Sequence, residues 1–295
     1  MSRPAFDLQS HSVHSDGALG AAEVVERAAA AGVELLALSD HDTVDGVEEA
    51  LETARRLQTI RVVPAVEISA VQAEHEDLHI LGYGIDHRDE ALRAELARYR
   101  GDREVRAARM RAALEELGYE IDDTVLERRR RAGKPIGRPH LSQAAFGHPA
   151  NAERIADEGF ATFSDLLVAY LIPGRPAYRA RTFPTVQQAI DLIHAAGGVA
   201  VWAHPFWDIE ADRAVLDTVD RFVDLGIDGV EAFYVTHTRE QTLLLADHCE
   251  ARGLLTTGSS DFHGPGHAHF AAFRAFELHG REPRLGPIAQ IRASR

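Results

Sequence analysis

Residues 7–17 read DLQSHSVHSDG, and within them an apolar strand pattern changes into a polar bend. His11, His14 and Asp16 lie within six positions, and Gly17 follows where the chain must turn. Imidazole and carboxylate groups are suitable ligands for first-row divalent metals. We interpret this segment as a strand that ends by delivering ligands to a site.

An apolar segment followed by an ionisable side chain recurs along the chain. The residues at these strand ends are Asp40, His41, Glu67, His79, His204, His237, Asp261 and His263. A single strand that ends in an ionisable residue is weak evidence for a functional site. Repetition of this ending at nearly every predicted strand indicates one rim of an α/β barrel, which is the edge where such barrels build active sites.

The composition indicates one large α/β domain, with room for an insertion. The chain has 295 residues, 45% of them hydrophobic and 26% charged, which is typical of globular proteins. No run of about eighteen apolar residues exists, so we expect no membrane span. The start lacks the apolar core of a signal peptide, and we predict a cytoplasmic protein. The formal charge of −14 argues against a whole surface that binds nucleic acid.

Histidine and cysteine usage narrows the kind of metal site. The chain contains sixteen histidines and a single cysteine, Cys249, which excludes an internal disulfide and a thiolate cage. Nitrogen and oxygen ligands suit manganese, zinc or ferrous iron. We therefore expect any metal site to be built from imidazoles and carboxylates.

The first hundred residues alternate between predicted helices and strands. Residues 20–31 have helical periodicity and residues 32–38 form an apolar run of buried-strand length. Thr43 or Asp45 is expected to cap the next helix. This alternation predicts a parallel sheet.

Two further strands are predicted at residues 61–66 and 78–83, with Glu67 directly after the first and His79 near the start of the second. Pro64 cannot donate a ladder hydrogen bond, so it predicts an edge or irregular strand.

Residues 91–175 interrupt the pattern with long, charged helical segments and no strand signal. We predict a helical insertion here that covers the active site, and a barrel formed by residues 1–90 and 176–295. The segment 171–184, rich in Pro, Gly and Arg, is interpreted as the return linker. Helices capped by Thr185 and by a Thr238–Gln241 capping box follow, which brings the total to about seven strand–helix units.

The ordered motifs DLQSHSVHSDG, LSDHDT, VEIS, LHILGYG, AHP and GSSDFH resemble those of the polymerase and histidinol phosphatase (PHP) family. The similarity covers nearly the whole chain and is greatest to its small phosphoesterases with a helical insertion, among them nucleoside 3′,5′-bisphosphate phosphatases. The resemblance implies an α/β fold, a distorted (β/α)7 TIM-like barrel. It also implies two or three divalent metal ions, for which we expect manganese, with zinc or iron as alternatives.

The resemblance further implies how the ligands are shared. Glu67 would bridge two metals, joined by His11 and Asp261 on the first and by His79 and His204 on the second. A third metal would be held by the remaining ligands, which are Asp16, His41 and His263. A carboxylate has two oxygens and can bridge cations, whereas an imidazole nitrogen binds one. Asp40 or Asp42 could orient the ring of His41.

Position 9 departs from the family pattern, in which His-x-His is usual, because this chain has Gln9. A Gln amide oxygen is a weaker ligand than imidazole for zinc-like ions, although harder ions accept it. We therefore expect a weakened first metal site, and activity that responds to manganese more than to zinc.

Closely spaced cations lower the pKa of a bridging water and neutralise phosphoryl oxygens, so we expect in-line attack on phosphorus by metal-activated hydroxide. Asp16 could share the proton of the attacking group. His237, at a place where similar family members also have a His, could protonate the leaving alkoxide or bind a phosphate oxygen. A loop histidine with no role is the alternative interpretation.

A basic segment at 127–140 stands out from an acidic chain. Arg128 to Arg131 are interpreted as a solvated helix end, with Lys134 following. Arg138 and His140 lie in a Gly- and Pro-rich turn that resembles the substrate-contacting segment of the family branch, and Arg can grip a phosphate bidentately. Arg175 and Tyr178 are weaker candidates for the same role.

Taken singly, each candidate has a plain alternative. His79 could be a core histidine, His204-Pro205 a turn, and Asp261 with His263 a surface loop. Seven other histidines are expected to have no role in the site. His14, His75 and His87 are interpreted as exposed loop residues, His194 and His248 as surface or packing residues, and His267 and His269 are assigned nothing.

Four functions remain open at this point. The first is a phosphatase that removes the 3′-phosphate of a nucleoside 3′,5′-bisphosphate, and the second is a 5′→3′ exoribonuclease on short RNA. A histidinol-phosphate type of phosphatase is disfavoured by the insertion. A non-catalytic module is favoured only by Gln9. We expect a small phosphorylated nucleotide as the partner, with short RNA as the alternative, no membrane, and no obligate protein partner.

Overall fold

The computed structural model describes residues 4–72, 75–131, 136–181 and 183–291. The chain divides into two compact units. One contains residues 1–97 and 183–295, and the other contains residues 98–182.

The first unit is a nearly closed barrel of seven strands in sequential order. Its strands are β1 (Phe6–Asp7), β2 (Leu35–Leu38), β3 (Arg61–Gln72), β4 (His75–Tyr83), β5 (Val199–Trp202), β6 (Gly229–Tyr234) and β7 (Leu255–Ser259). The two ends of the sheet meet where the amide of Leu8 donates to the carbonyl of Gly258 at 3.1 Å. This architecture confirms the predicted α/β barrel of seven strands.

The prediction of a parallel sheet is wrong at one strand, β4. Four neighbouring strand pairs run parallel, but β4 is antiparallel to both β3 and β5. The physical reason is that only two residues separate β3 from β4, and so short a connection cannot carry the crossover that a parallel pair needs. Both strands are also longer than predicted, so Glu67 lies within β3 rather than after it.

Pro64 does not mark an edge strand, because β3 pairs with β2 on one side and with β4 on the other. Proline lacks only the donor of a ladder bond. Its carbonyl remains available, and that of Pro64 accepts a hydrogen bond from the amide of Gly84 at 2.8 Å.

Helices connect most of the strands, and a group of them forms the second unit. The helices are α1 (Ala21–Ala30), α2 (Val47–Leu57), α3 (Glu90–Glu116), α4 (Asp123–Arg131), α5 (Arg138–Phe146), α6 (Ala152–Asp157), α7 (Phe163–Tyr170), α8 (Val186–Ala195), α9 (Pro205–Asp208), α10 (Asp212–Asp224) and α11 (Arg239–Arg252). The predicted caps of α8 and α11 are present: the hydroxyls of Thr185 and Thr238 accept from amides three residues on. The predicted cap of α2 is wrong, because Gly46 occupies its N-cap and Thr43 instead accepts from the amide of Asp45.

The unit of residues 98–182 has a hydrophobic core of its own. Leu126, Leu141 and Leu166 are completely buried within it, and Arg154 lies over the ring of Tyr119 at 4.0 Å. Its described residues are helices and loops, in agreement with the missing strand signal. The sequence placed this insertion at 91–175, and its placement over the active site stays a prediction. Lys134 lies outside the described residues.

The barrel is packed closely around small residues. A Cβ atom at Gly82 on β4 would come within 2.8 Å of Ile193 on α8, so this glycine allows helix and strand to approach. Trp202 on β5 is completely buried and meets the ring of Phe222 on α10 edge-on, with centroids 5.0 Å apart. These contacts hold helices against the outside of the barrel.

No helix among the described residues combines the length and apolarity needed to cross a membrane. The cytoplasmic location inferred from the sequence stays a prediction.

Neighbouring positions on α10 offer a matched test of this packing. Phe222 is completely buried, whereas Val223 is 39% exposed. Phe222→Ala should lower the free energy of unfolding by ~3–5 kcal/mol, because it opens a cavity beside Trp202. Val223→Ala should change it by no more than about 0.5 kcal/mol. Urea unfolding monitored by circular dichroism measures both, and equal losses would contradict the packing described.

Candidate metal centre

All eight predicted metal ligands come together at one end of the barrel. They are carried by the carboxyl ends of the parallel strands and by the paired strands β3 and β4. The residues are His11 and Asp16 after β1, His41 after β2, Glu67 on β3, His79 on β4, His204 after β5, and Asp261 and His263 after β7. Three overlapping groups of them have ligand atoms within 4.8 Å of one another.

Glu67 lies at the centre of the cluster and is completely buried. Its Oε1 atom is 2.7 Å from Nδ1 of His79 and 3.2 Å from Nε2 of His204. Its Oε2 atom is 3.1 Å from Nε2 of His11 and 3.5 Å from Nδ1 of His41. Because each carboxylate oxygen faces a different pair of imidazoles, Glu67 has the geometry of a bridge between two sites.

A third group lies nearer the solvent and is formed by His11, Asp16, His41 and His263. The side chain of Asp16 is 42% exposed, and its two oxygens lie 3.6 Å from Nε2 of His41 and 3.4 Å from Nε2 of His263. This carboxylate therefore stands at the mouth of the cluster. His41 belongs both to this group and to the group that it forms with Glu67 and His79.

The donor set suits divalent cations. Nε2 of His11 and Oδ1 of Asp261 are buried and only 3.0 Å apart, yet neither has a hydrogen-bond partner among the described residues. The same holds for Nδ1 of His41. Buried polar atoms that converge without hydrogen bonding are costly unless something else satisfies them, and a cation between nitrogen and oxygen donors does so.

The carboxylates keep their charge despite burial. Burial alone would raise the pKa of Glu67, but the neighbouring imidazoles of His41 and His79 outweigh it and hold this pKa well below its usual range. Burial also opposes ionisation of Asp261, and the His11 ring more than compensates, so its pKa is lowered. Burial lowers the pKa of His41 to about 4, which leaves that ring neutral near pH 7. Ionised carboxylates and neutral imidazoles are the forms that bind metals.

Two of the imidazoles that face Glu67 have raised pKa values. Burial opposes protonation of His11 and His204, but the nearby carboxylates of Asp261 and Glu67 outweigh it for His11, whose pKa is raised, and the Glu67 carboxylate raises the pKa of His204 to about 9. A cation that binds these two rings would therefore displace their protons.

Asp40 fixes the loop that carries His11 and Asp16. It accepts hydrogen bonds from the amide and the hydroxyl of Ser12 at 2.7 and 2.6 Å and from the hydroxyl of Ser15 at 2.6 Å. The loop is tight, because a Cβ atom at Gly17 would lie 2.3 Å from the carbonyl oxygen of His11. Gly17 is thus required by a close backbone approach at the turn.

Gln9 is completely buried beneath the cluster. Its Nε2 donates to Oε2 of Glu67 at 3.0 Å, and its Oε1 accepts from the hydroxyl of Ser259 at 3.3 Å. A carboxylate can only accept, so the nitrogen of the amide must face Glu67 and the oxygen must face away from it. Gln9 therefore holds the central carboxylate in place. A ligand role for its oxygen stays a prediction.

Two residues of β6 that the sequence reading left out support the ligands. Glu231, completely buried, accepts from the amide of His204 at 3.0 Å and from the hydroxyl of Ser259 at 2.6 Å. The hydroxyl of Tyr234 donates to Oδ2 of Asp261 at 2.7 Å. An acidic residue inside the otherwise apolar run GVEAFYV was the signal that could have identified Glu231.

His237 lies in the turn that follows β6. Its side chain is nearly buried, with Nδ1 3.2 Å from the carbonyl oxygen of Ala232 and with its ring 5.3 Å from those of Tyr234 and Phe206. No described atom is a hydrogen-bond partner of its buried Nε2. The catalytic role assigned to His237 stays a prediction.

The predicted substrate-contacting residues belong to the helical unit. Arg138 begins α5, His140 accepts from the amide of Gly137 at 3.0 Å, and Arg175 lies in the segment after α7. Their contact with substrate stays a prediction. Arg131, at the end of α4, forms an exposed ion pair with Glu127, as expected of a solvated helix end.

Two histidines interpreted as exposed loop residues are placed differently. His75 begins strand β4, and His87 is only 9% exposed, with Nε2 2.9 Å from Oε2 of Glu48. Burial cannot be read from a single histidine in a polar segment. His14 is exposed, as predicted.

The cluster opens into a cavity of about 140 Å³. Metal ligands and aromatic side chains both contribute to its lining. The lining residues are His41, Glu67, His79, His204, Trp207, Tyr234, Asp261, His263 and Phe270.

Comparison with known proteins supplies a family and several relatives. Residues 7–165 match the PHP domain. A 3′,5′-nucleoside bisphosphate phosphatase of Chromobacterium violaceum is 35% identical over 88% of each chain, and a 5′-3′ exoribonuclease of Haemophilus influenzae is 32% identical over 88% of this chain and 90% of its own. A solved structure from Chromobacterium violaceum, described as an amidohydrolase with bound sulfate and no metal, superposes with a TM-score of 0.74. It is 32% identical and covers 92% of this chain and 91% of its own.

Replacement of the central carboxylate tests the cluster as a metal site. Glu67→Gln keeps the shape of the side chain but removes the charge that faces four imidazoles, so it should reduce the number of manganese ions bound by at least one. Chelator-treated protein is equilibrated with Mn²⁺ by dialysis, and the bound metal is measured by mass spectrometry.

Glu48→Gln, at an exposed acidic residue paired with His87, is the matched control and should bind as many ions as the unaltered protein. If Glu67→Gln is folded by circular dichroism and binds manganese with unchanged stoichiometry and affinity, the cluster is not the metal centre.

Proposed function

This chain belongs to the PHP family, and from that premise we propose that it is a metal-dependent phosphoesterase acting on a small nucleotide. The proposed reaction removes the 3′-phosphate of a nucleoside 3′,5′-bisphosphate. The observation that carries the proposal is the cluster of eight imidazoles and carboxylates that includes Glu67, each of whose two oxygens faces two imidazoles. The Chromobacterium relative, 35% identical, supports the choice of substrate.

Divalent cations, when bound, supply the Lewis acidity that activates water and neutralises charge on phosphoryl oxygens. Glu67 would fix the positions of the four imidazoles that face its carboxylate, two at each oxygen. Asp16, whose side chain is 42% exposed, would accept a proton from the attacking water. Tyr234 and Glu231 hold Asp261 and the backbone of His204, so the ligands need little reorganisation when substrate arrives.

The chemistry of the donor set supports manganese as the catalytic metal ion. Gln9 takes the place of an imidazole in the family pattern, and its nitrogen faces Glu67. The group around His11 and Asp261 therefore has fewer nitrogen donors and a higher share of oxygen, which suits a harder ion than zinc.

His237 would contact the phosphate or the leaving group. Burial lowers its pKa to about 4, so the ring is neutral at pH 7 and, with Nδ1 on the carbonyl of Ala232, presents Nε2 as an acceptor. A role as proton donor requires that an arriving phosphate dianion raise this pKa.

Arg138 and His140 are proposed to bind the second phosphate of the substrate, with Arg175 in a lesser role. A guanidinium can bind a phosphate through two parallel hydrogen bonds, which selects substrates with a phosphate away from the reacting one. This assignment rests on the sequence of the turn before α5.

The second candidate is a 5′→3′ exoribonuclease on short RNA. The relative from Haemophilus influenzae and the basic segment at 127–140 favour it, whereas the formal charge of −14 favours a small substrate. A non-catalytic module is disfavoured because each of the eight ligand positions is filled.

Products formed from two substrates distinguish the candidates. Adenosine 3′,5′-bisphosphate and a 5′-phosphorylated trinucleotide are incubated side by side with the manganese-loaded protein and analysed by ion-exchange chromatography. We expect AMP and inorganic phosphate from the bisphosphate at a kcat/KM well above that for the trinucleotide. Release of mononucleotides from the trinucleotide as the faster reaction would favour the exoribonuclease.

Arg138→Ala tests the second-phosphate site. Loss of a charged hydrogen bond should raise the KM for adenosine 3′,5′-bisphosphate by ~10-fold to 100-fold, with a much smaller effect on a nucleoside monophosphate. Arg128→Ala, in the exposed basic run of α4, serves as the control and should behave like the unaltered protein. Equal losses on both substrates would refute the assignment.

A further inference from the structure

The two tryptophans of the chain have opposite environments. Trp202 is completely buried in the barrel, whereas Trp207, five residues on in α9, is 53% exposed. Trp207 lies three residues after His204, in the helix that His204 caps, and it lines the same cavity as the metal ligands. An exposed indole that lines the same cavity as a polar cluster offers a flat apolar face that an aromatic ring of a ligand can cover.

Phe270, from the loop after β7, extends this aromatic surface toward the ligands. Its ring is 5.7 Å from that of Trp207 at an interplanar angle of 55°, and 5.5 Å from the ring of His263. Phe270 is 7% exposed, and the ring of His267 stacks on it at 4.9 Å. The phenylalanine is thus held in place, while much of the indole remains uncovered.

We propose that Trp207, supported by Phe270, forms a stacking site for the base of the nucleotide substrate. The inference rests on the proposed function and adds the part of the substrate that the metal ligands cannot recognise. A phosphate held at the ligand cluster brings the attached sugar into the cavity and leaves the base near the aromatic wall. Stacking tolerates any base because every base has a π face, so this site selects nucleotides over simple sugar phosphates.

The flat indole is a better partner for a base than a charged or aliphatic side chain would be. Stacking buries two apolar faces and needs no hydrogen-bond donors in fixed positions. The cavity lining contains the carboxylates of Asp261 and Glu67 and also the aromatic rings of Trp207 and Phe270. A nucleotide likewise combines a charged phosphate with an aromatic base.

Intrinsic fluorescence tests binding directly, because Trp207 is the exposed one of two tryptophans. AMP and ribose 5-phosphate, which lacks the base, are titrated separately into the manganese-loaded protein. AMP should give a saturable loss of emission and ribose 5-phosphate should not. The loss should disappear in Trp207→Phe, which keeps Trp202. Quenching by AMP that persists in this variant, or no saturable quenching of the unaltered protein, would overturn the proposal.

Kinetics provide the second measurement. Trp207→Leu should raise the KM for adenosine 3′,5′-bisphosphate by ~5-fold to 100-fold more than the KM for ribose 3,5-bisphosphate, which keeps both phosphates and lacks the base; this is the range expected for one stacked base. Trp207→Phe should restore most of the difference, and Val223→Ala is the control at an exposed apolar position. An equal rise for both substrates would show that Trp207 acts on the site as a whole and would refute base stacking.

The two proposals fail in different ways. If the unaltered protein does not hydrolyse the bisphosphate, the proposed function is wrong, and the fluorescence titration still decides whether a base stacks on Trp207. If hydrolysis is observed and Trp207→Leu treats both substrates alike, the function stands and the stacking site does not.

Discussion

The buried carboxylate of Glu67 is the constraint on which the site depends. An ionised carboxyl group in the interior of a barrel loses its hydration and must find compensation within the protein. Glu67 finds it in four imidazoles and in the amide of Gln9, all within 3.5 Å. Those imidazoles come from four different places in the sequence, so the carboxylate ties the loops after β1, β2 and β5 to strand β4.

A layer of buried hydrogen bonds beneath the ligands fixes their positions. Glu231 and Gln9 are both hydrogen-bonded to the hydroxyl of Ser259. Glu231 also accepts from the amide of His204, and Gln9 donates to Glu67, so this chain of hydrogen bonds links the backbone of His204 to the central carboxylate. Satisfied polar networks of this kind rigidify a core, and a ligand set that is already in place binds cations without a large entropic cost. The interior of the barrel therefore orients the groups that would bind the metals.

Much of the site could be predicted from the sequence because its signal is local. A strand that ends in His or Asp is visible in His11, His41 and Asp261, and the order of the motifs indicates one family. The direction of β4 was missed because the polar residues 75–77 resemble a loop, whereas they begin a long antiparallel strand. The burial of His87 and the openness of Trp207 depend on packing between segments that are distant in sequence, and no local pattern reports them.

Cations are expected to lie between the groups of ligands that share Glu67, and anomalous scattering from a manganese-loaded crystal tests this most directly. Data collected on both sides of the manganese edge should show at least two peaks, one beside His11 and Asp261 and one beside His79 and His204, both within coordination distance of Glu67. A crystal in which these residues are ordered and no anomalous peak lies among them would contradict the account.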